Sequence, residues 1–262
     1  MTSQQVQHFF HPHSGTISYV VADSDTNEAI IIDPVADYDV ENDKVSYESA
    51  QEIIDHVEQS KLHIVAILET HIHADHLSGS FYLSKQLDAP IYVSEGVKEV
   101  YSSWKDELCL SELYHFEHFL LEDEQFDFGH SHLEVISTPG HTPSDLTFKI
   151  GDALFVGDSL FYHGTGRADF PGGSAEKLFE SISKLYGLKD ETEVYLCHNY
   201  PDKKEELVYK TTIGEEKHHN TLMTEETTCE QFVDHRELRD HQLPPPKLIK
   251  PALEFNLTAT HH

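Results

Sequence analysis

The apolar run over residues 63–69 leads directly into Thr70-His71-Ile72-His73-Ala74-Asp75-His76, which places four potential metal ligands within six positions. The run has the length of a buried strand, so the ligand cluster starts where a strand stops. The arrangement recurs further along. A strand-like segment at 133–137 ends at Thr138-Pro139-Gly140-His141, the segment 153–156 is followed by Gly157-Asp158, and 193–196 delivers His198. Donors at the carboxyl ends of strands can converge on one edge of a sheet, and any fold of this chain must allow that. Alternate residues of an extended segment face one way, so His71 and His73 can approach one ion together while Asp75 and His76 lie on the turn into the next helix. The mixture suits imidazole and carboxylate chelation.

The remaining chain alternates strands and helices. Residues 16–21 and 29–33 read as a hairpin ending at Asp33-Pro34. Helical spacing of Ala50, Ile53, Ile54 and Val57 marks 47–61, and further helices are predicted over 77–87 and 96–104 around a strand at 91–93. Strands 146–150 and 153–156 meet at the Gly151-Asp152 turn, and 174–186 reads as a helix with Leu178, Ile182 and Leu185 inward. The acidic stretch 36–46 reads as an exposed loop. From Tyr209 the chain is more polar, helical over 229–239 and extended at Pro244-Pro245-Pro246. No linker divides it, so residues 1–262 are expected to form a single domain with 209–262 as a tail packed on it.

Composition narrows the function. With 18 Lys+Arg against 47 Asp+Glu the net charge is -29, which repels nucleic-acid phosphates and anionic membrane faces. Cys109, Cys197 and Cys229 lie far apart without C-x-x-C spacing, which suggests neither a disulfide framework nor a structural zinc site and fits a reducing compartment. Cys197 reads as a small buried strand residue. The opening MTSQQVQHFF has no basic segment followed by an apolar one, and no apolar run reaches the ~18 residues of a membrane span. The expectation is a soluble, cytoplasmic protein. Of 21 histidines, His71, His73, His76, His141 and His198 carry a positional argument for metal chemistry; the pairs His11/His13, His115/His118, His130/His132, His218/His219 and His261/His262 read as surface or packing residues.

The pattern H-x-H-x-D-H over 71–76, with the later His141, Asp158 and His198, resembles the metallo-β-lactamase superfamily. Within it, ETHIHADHLSGS (69–80), STPGHTPSDLTF (137–148), VGDSLFYHGTGRADFPGGS (156–174) and YLCHNY (195–200) resemble the persulfide dioxygenases, also called sulfur dioxygenases, and the neighbouring glyoxalase II branch. The segment GRADF after Asp158 is similar to the dioxygenase form of that loop. Arg236-Glu237-Leu238-Arg239-Asp240 resembles the tail of a bacterial side branch named β-lactamase-like hydrolases. The resemblance implies an α/β (α+β) fold, the four-layer αββα sandwich, with two mixed sheets face to face, helices outside and a metal cleft at one edge.

For the site, the dioxygenase resemblance implies one Fe(II) per chain on His71, His141 and Asp158, with O2 and a low-molecular-weight persulfide such as glutathione persulfide as substrates, and sulfite and thiol as products. His73, Asp75, His76 and His198 would then orient ligands or move protons, which makes Asp75, His76 and His198 catalytic candidates. The hydrolase alternative implies two Zn(II) per chain: His71, His73 and His141 on one, Asp75, His76 and His198 on the other, and Asp158 bridging, for attack on a thioester carbonyl. Arg167 and Tyr200 fall where the family places substrate contacts, and Arg167 offers an anionic substrate a cation. The family tail Asn-Pro-Arg-Leu is here Asn220-Thr221-Leu222-Met223, so its arginine is replaced by Leu222 and carriers other than glutathione come into view. Asp33 reads either as a hydrogen-bonding partner of the metal loop or as a turn-initiating residue before proline. A homodimer is the assembly the family suggests.

Overall fold

The structure, a computed structural model, describes residues 4–201 and 206–260. Strand β1 (Gln4–His11) pairs antiparallel with β2 (Thr16–Asp23), which pairs antiparallel with β3 (Glu28–Ile32). A small hairpin of β4 (Val35–Asp39) and β5 (Lys44–Ser46) precedes helix α1 (Glu48–Ser60). There follow β6 (His63–Leu68), β7 (Leu77–Ser78), α2 (Ser80–Leu87), β8 (Ile91–Ser94), α3 (Val97–Leu108) and β9 (His118–Leu120). The second half runs through β10 (Gln125–Phe128), β11 (Ser131–Ser137), β12 (Leu146–Ile150) and β13 (Ala153–Phe155), then crosses by α4 (Ala175–Tyr186) to β14 (Glu193–Tyr195). It closes with β15 (Lys210–Thr212), α5 (Ile213–His219), α6 (Cys229–Asp240) and α7 (Ile249–Thr258).

One sheet has the order β1-β2-β3-β6-β8-β9 and the other β10-β11-β12-β13-β14-β15, with β5-β4-β7 forming a small third. The two large sheets face each other. Ile17, Tyr19, Val21, Ile30, Ile32 and Leu68 from the first pack against Phe128, Leu133, Val135, Phe148 and Phe155 from the second. The alternate residues Val20, Ala22, Ala29 and Ile31 point outward and are covered by Ile53, Ile54 and Val57 of α1. Leu154, Val156 and Val194 on the far side meet Leu178, Ile182 and Leu185 of α4 and Phe232 of α6. Strands covered on both faces read as continuous apolar runs, which is why β2 and β3 lack alternation. These layers make the αββα sandwich.

Three local expectations need correction. The acidic stretch 36–46 is the β4–β5 hairpin rather than a loop, with Ala36 buried and β4 pairing with β7. Asp37, Asp39 and Lys44 lie on its strands and Glu41 and Asp43 in its turn, so the buried part, Val35 and Ala36, is too short to produce a pattern. Leu77 and Ser78 are strand rather than helix, and α2 starts at Ser80. Beyond the helix expected over 229–239 the tail carries a further one, α7, whose Pro251 lies in the first turn where no intrahelical N–H is lost. The tail packs as α5 and α6 on the second sheet and α7 against Phe81 and Trp104. Among the described residues no helix is long and apolar enough to cross a membrane.

Candidate metal centre

Strands β6, β11, β13 and β14 end along one rim of the sandwich, and the residues just past them close into a buried cluster. Potential ligand atoms of His71, His141 and Asp158 lie within 4.8 Å of one another. Each imidazole in this trio is aimed from behind. His71 Nδ1 sits 3.0 Å from the Thr70 hydroxyl, which donates to Asp33 Oδ2 at 2.8 Å, so Nδ1 carries the proton and Nε2 is left with its lone pair. His141 Nδ1 donates to the Arg167 carbonyl at 2.7 Å, an acceptor only, with the same consequence. The two rings are 5.1 Å apart and perpendicular. Asp158 brings Oδ2 to 3.5 Å from His141 Nε2 and Oδ1 to 3.4 Å from His198 Nε2.

The backbone permits this only with glycine at two turns. Gly157 has φ +53, and a Cβ there would lie 2.8 Å from Thr70 Oγ1, inside the pair that aims His71. Gly140 has φ +151 and touches the backbone of Leu178, which lets α4 close over the His141 loop.

Opposite the trio lies a second set. His76 Nδ1 is 3.2 Å from Thr16 Oγ1 and 3.4 Å from Asp75 Oδ1, and His198 Nε2 is 3.6 Å from Asp75 Oδ2. Potential ligand atoms of His73, Asp75 and His76 also lie within 4.8 Å of one another. His73 Nε2 faces two carboxylates, Asp33 Oδ1 at 3.2 Å and Glu69 Oε2 at 3.4 Å. Asp33 therefore bonds the metal loop, accepting the Thr70 N–H at 2.7 Å, while it also takes a left-handed turn (φ +49) before Pro34.

Burial and neighbouring charge set the protonation states. Burial, reinforced by the surrounding imidazoles, pushes His71 well below its ordinary value, and burial lowers His76, so both rings favour the neutral, ligating form. Burial would depress His73 too, but Asp33 and Glu69 pull it well above. For Asp75 burial is outweighed by His198 and His76, which hold the carboxyl far below the usual range. Cys197 is buried with its thiol pushed up by burial and by Asp33, Asp158 and Asp75, which keeps it unreactive.

A metal ion fits these residues. Asp158 Oδ1, Asp75 Oδ2, His76 Nε2 and His73 Nδ1 are buried without a hydrogen-bond partner among the described residues. Four such atoms around one cleft would be costly in a protein interior, and a bound cation supplies the missing partner.

Several supporting residues gave no sequence signal. Asn256 of α7 donates from Nδ2 to the carbonyls of His73 and His76, both at 2.9 Å, and accepts the Ser78 N–H at 2.7 Å. Glu69 receives the hydroxyls of Ser78 and Ser80, and Asp145 caps the His141 loop by accepting Thr142 N–H at 2.7 Å. Glu69 and Asp145 lie inside the ligand-bearing blocks, which was the available clue. Asn256 lies far outside them.

The expected substrate contacts fare differently. Arg167 is not a free cation: Nε and Nη2 bond the Asp169 carboxylate at 2.6 and 2.8 Å, Nη1 bonds the Pro244 carbonyl at 2.9 Å, and the guanidinium lies over Phe170. Its backbone carbonyl, which aims His141, is the part that reaches the centre. Tyr200 is exposed and stacks parallel to His198 at 5.8 Å. Leu222 lines a cavity beside it, and Arg236 of the tail motif is buried, paired with Asp240 at 2.5 Å. Of the discounted histidines, His118 and His132 pair with Glu124 and Asp127. His261 and His262 lie outside the described residues.

Comparison with known proteins agrees with this geometry. The family model of the metallo-beta-lactamase superfamily matches residues 13–198. A beta-lactamase hydrolase-like protein of Xylella fastidiosa is 39% identical over 97% of this chain, which spans only 60% of that relative's length. Glyoxylase B2 of Dictyostelium discoideum is 35% identical over 97% of this chain and 90% of its own, and the bovine mitochondrial persulfide dioxygenase ETHE1 is 30% identical over 96% and 87%. The crystal structure of ETHE1 from Myxococcus xanthus superposes with a TM-score of 0.79 at 29% identity, covering 96% of this chain and 97% of that one. Matched across all four ligand-bearing strand ends and aligned along nearly its whole length, the chain belongs to the metallo-β-lactamase superfamily.

Proposed function

We propose that this protein is a mononuclear Fe(II) persulfide dioxygenase that acts as a single domain over residues 1–262. One observation carries the reading: the trio His71, His141 and Asp158 is a two-histidine, one-carboxylate set in which both imidazoles are held from behind through Nδ1 and turn Nε2 inward. That donor set leaves coordination positions open and is typical of iron oxygenases. His71, His141 and Asp158 would hold the iron, which would supply the redox chemistry that couples oxidation of the persulfide sulfur to reduction of O2. Overall, a persulfide, O2 and water become the thiol and sulfite: the S–S bond breaks, the outer sulfur loses four electrons, and O2 gains them.

The chain's own residues prepare this chemistry. Thr70 and the Arg167 carbonyl hold the two imidazoles with Nε2 inward. His198 Nε2, between Asp75 Oδ2 and Asp158 Oδ1, is placed to take the S–H proton of an arriving persulfide, with the Asp75 carboxylate stabilising the imidazolium. Phe161 and Tyr200 flank His198 at 5.9 and 5.8 Å and shield it from water.

The second reading is a dinuclear zinc hydrolase of thioesters. It is favoured by the Asp158 carboxylate, which faces His141 with one oxygen and His198 with the other, as a bridging ligand would. Two of the relatives carry hydrolase or glyoxylase names. Anaerobic metal analysis followed by an oxygen electrode separates the two. About one iron per chain, with O2 uptake and sulfite release on glutathione persulfide, supports the dioxygenase. Two zincs in a protein inert to persulfide that cleaves S-lactoylglutathione would overturn it.

A further inference from the structure

Beside the metal centre a cavity of about 250 Å³ opens at the rim, with His198 as its floor. Its walls are Tyr162 and His163, stacked at 3.9 Å, then Tyr200, Thr221 and Leu222, and at its mouth stands Arg239 of α6. The chain has 47 acidic residues, yet none of the eleven residues lining this cavity is Asp or Glu. Arg239 is exposed, and among the described residues its side chain has no ion pair or hydrogen bond.

The contrast with the nearby arginines shows what Arg239 is free to do. Arg167 is held by Asp169 and Pro244, and the two terminal nitrogens of Arg236 are held by Asp240 and by the Thr165 carbonyl at 3.2 Å, although its Nε has no partner among the described residues. Thr165 is itself part of the cavity wall, and Asp240 accepts the Ala168 N–H at 2.9 Å. Arg236 and Asp240 thus clamp α6 to the wall and hold Arg239, three residues along the helix from Arg236, at the mouth. Carboxylates that approach the lining are turned to its histidines, Glu215 to His163 and Asp75 and Asp158 to His198, which leaves the planar guanidinium of Arg239 with open donors of the kind that suit a carboxylate.

We infer that Arg239 is the specificity-determining residue of a carrier subsite, and that the carrier is a small thiol bearing a carboxylate: its sulfur points at His198 and its carboxylate rests on Arg239. The inference rests on the proposed sulfur chemistry only for the species delivered, since a thioester of the same carrier would use the same arm. With a net charge of -29 the protein as a whole repels such anions, so an unpaired arginine at the mouth both attracts and orients them.

The test is equilibrium binding, by calorimetry on the metal-loaded protein, of S-methylglutathione, which can be neither dioxygenated as a persulfide nor hydrolysed as a thioester. Arg239→Gln is expected to weaken binding about tenfold, Arg239→Glu more, and Arg239→Lys to retain most of it. The diethyl ester of the same compound is expected to bind wild type and all three variants alike. The inference is overturned if wild type does not bind S-methylglutathione, if Arg239→Glu binds it within about twofold of wild type, or if the ester loses affinity in parallel. Because the probe reacts by neither route, a failed oxygen-uptake assay would sink the dioxygenase reading and leave this result standing.

Discussion

The two sides of the cleft are built from the same residue types and held in opposite ways. His71 and His141 are aimed by uncharged acceptors, a threonine hydroxyl and a backbone carbonyl, which fix the tautomer and leave a lone pair inward. His73, His76 and His198 are held among the carboxylates of Asp33, Glu69, Asp75 and Asp158, and at His73 two of these hold a proton on the ring against the effect of burial. Imidazoles of the first kind suit a fixed cation. Those of the second kind suit proton traffic or, with their protons displaced, a second cation. Which use prevails is the iron-versus-zinc question in structural form.

That comparison can be broken most directly on the first side. His141→Ala removes a ligand and leaves the Arg167 carbonyl without its donor; metal content, read by elemental analysis, and oxygen uptake are each expected to fall more than about hundredfold, beyond the effect of losing an outer partner. On the second side Asp75→Asn sharpens it. In a mononuclear enzyme the iron content stays near wild type while turnover drops about ten- to hundredfold. A fall in bound metal from two per chain to one would instead identify a dinuclear site.

Asn256→Ala tests whether the second side needs its brace from α7. It strands the carbonyls of His73 and His76 and the Ser78 N–H, at a cost of about 1–3 kcal/mol for each buried group left unmet by water, seen as a lower melting temperature and weaker metal retention. The smallest effect is in pH. With metal stripped, His73 keeps its proton in the folded state after the unfolded chain has released it near pH 6.5. Folding stability should therefore fall as pH rises from about 6.5 through the raised folded value, and His73→Gln should flatten that slope in melting curves. Asp33, whose carboxyl is lowered by His73 and Thr70 against the effect of burial, stays ionised throughout and adds no slope there.

Local pattern carried a large part of this. The placement of donors just past strand ends and the inward face of α4 were legible because strand and helix periodicity act over a few residues, while the αββα arrangement came from the resemblance carried by the local ligand motif. The hairpin at 36–46 and helix α7 were not: a buried part of two residues, Val35 and Ala36, does not show among the charges that follow it, and a proline in a first turn does not by itself separate a helix start from a break. Arg167 and Arg239 show the limit most clearly. Both are arginines in motif-like segments, and nothing in the local sequence says that Asp169 will consume the first or that packing of Arg236 will hold the second over a cavity.

The sequence by itself determined the candidate donors, their residue chemistry and the way strand ends would bring them together, since these depend on residue type and spacing. Only the tertiary structure decided which imidazole nitrogen faces inward, that Asn256 reaches back from the last helix to hold the ligand loop, and which arginine remains unpaired. The reach of Asn256 joins residues 183 positions apart, and the other outcomes depend on how side chains settle on the folded backbone even where the partners are near in sequence.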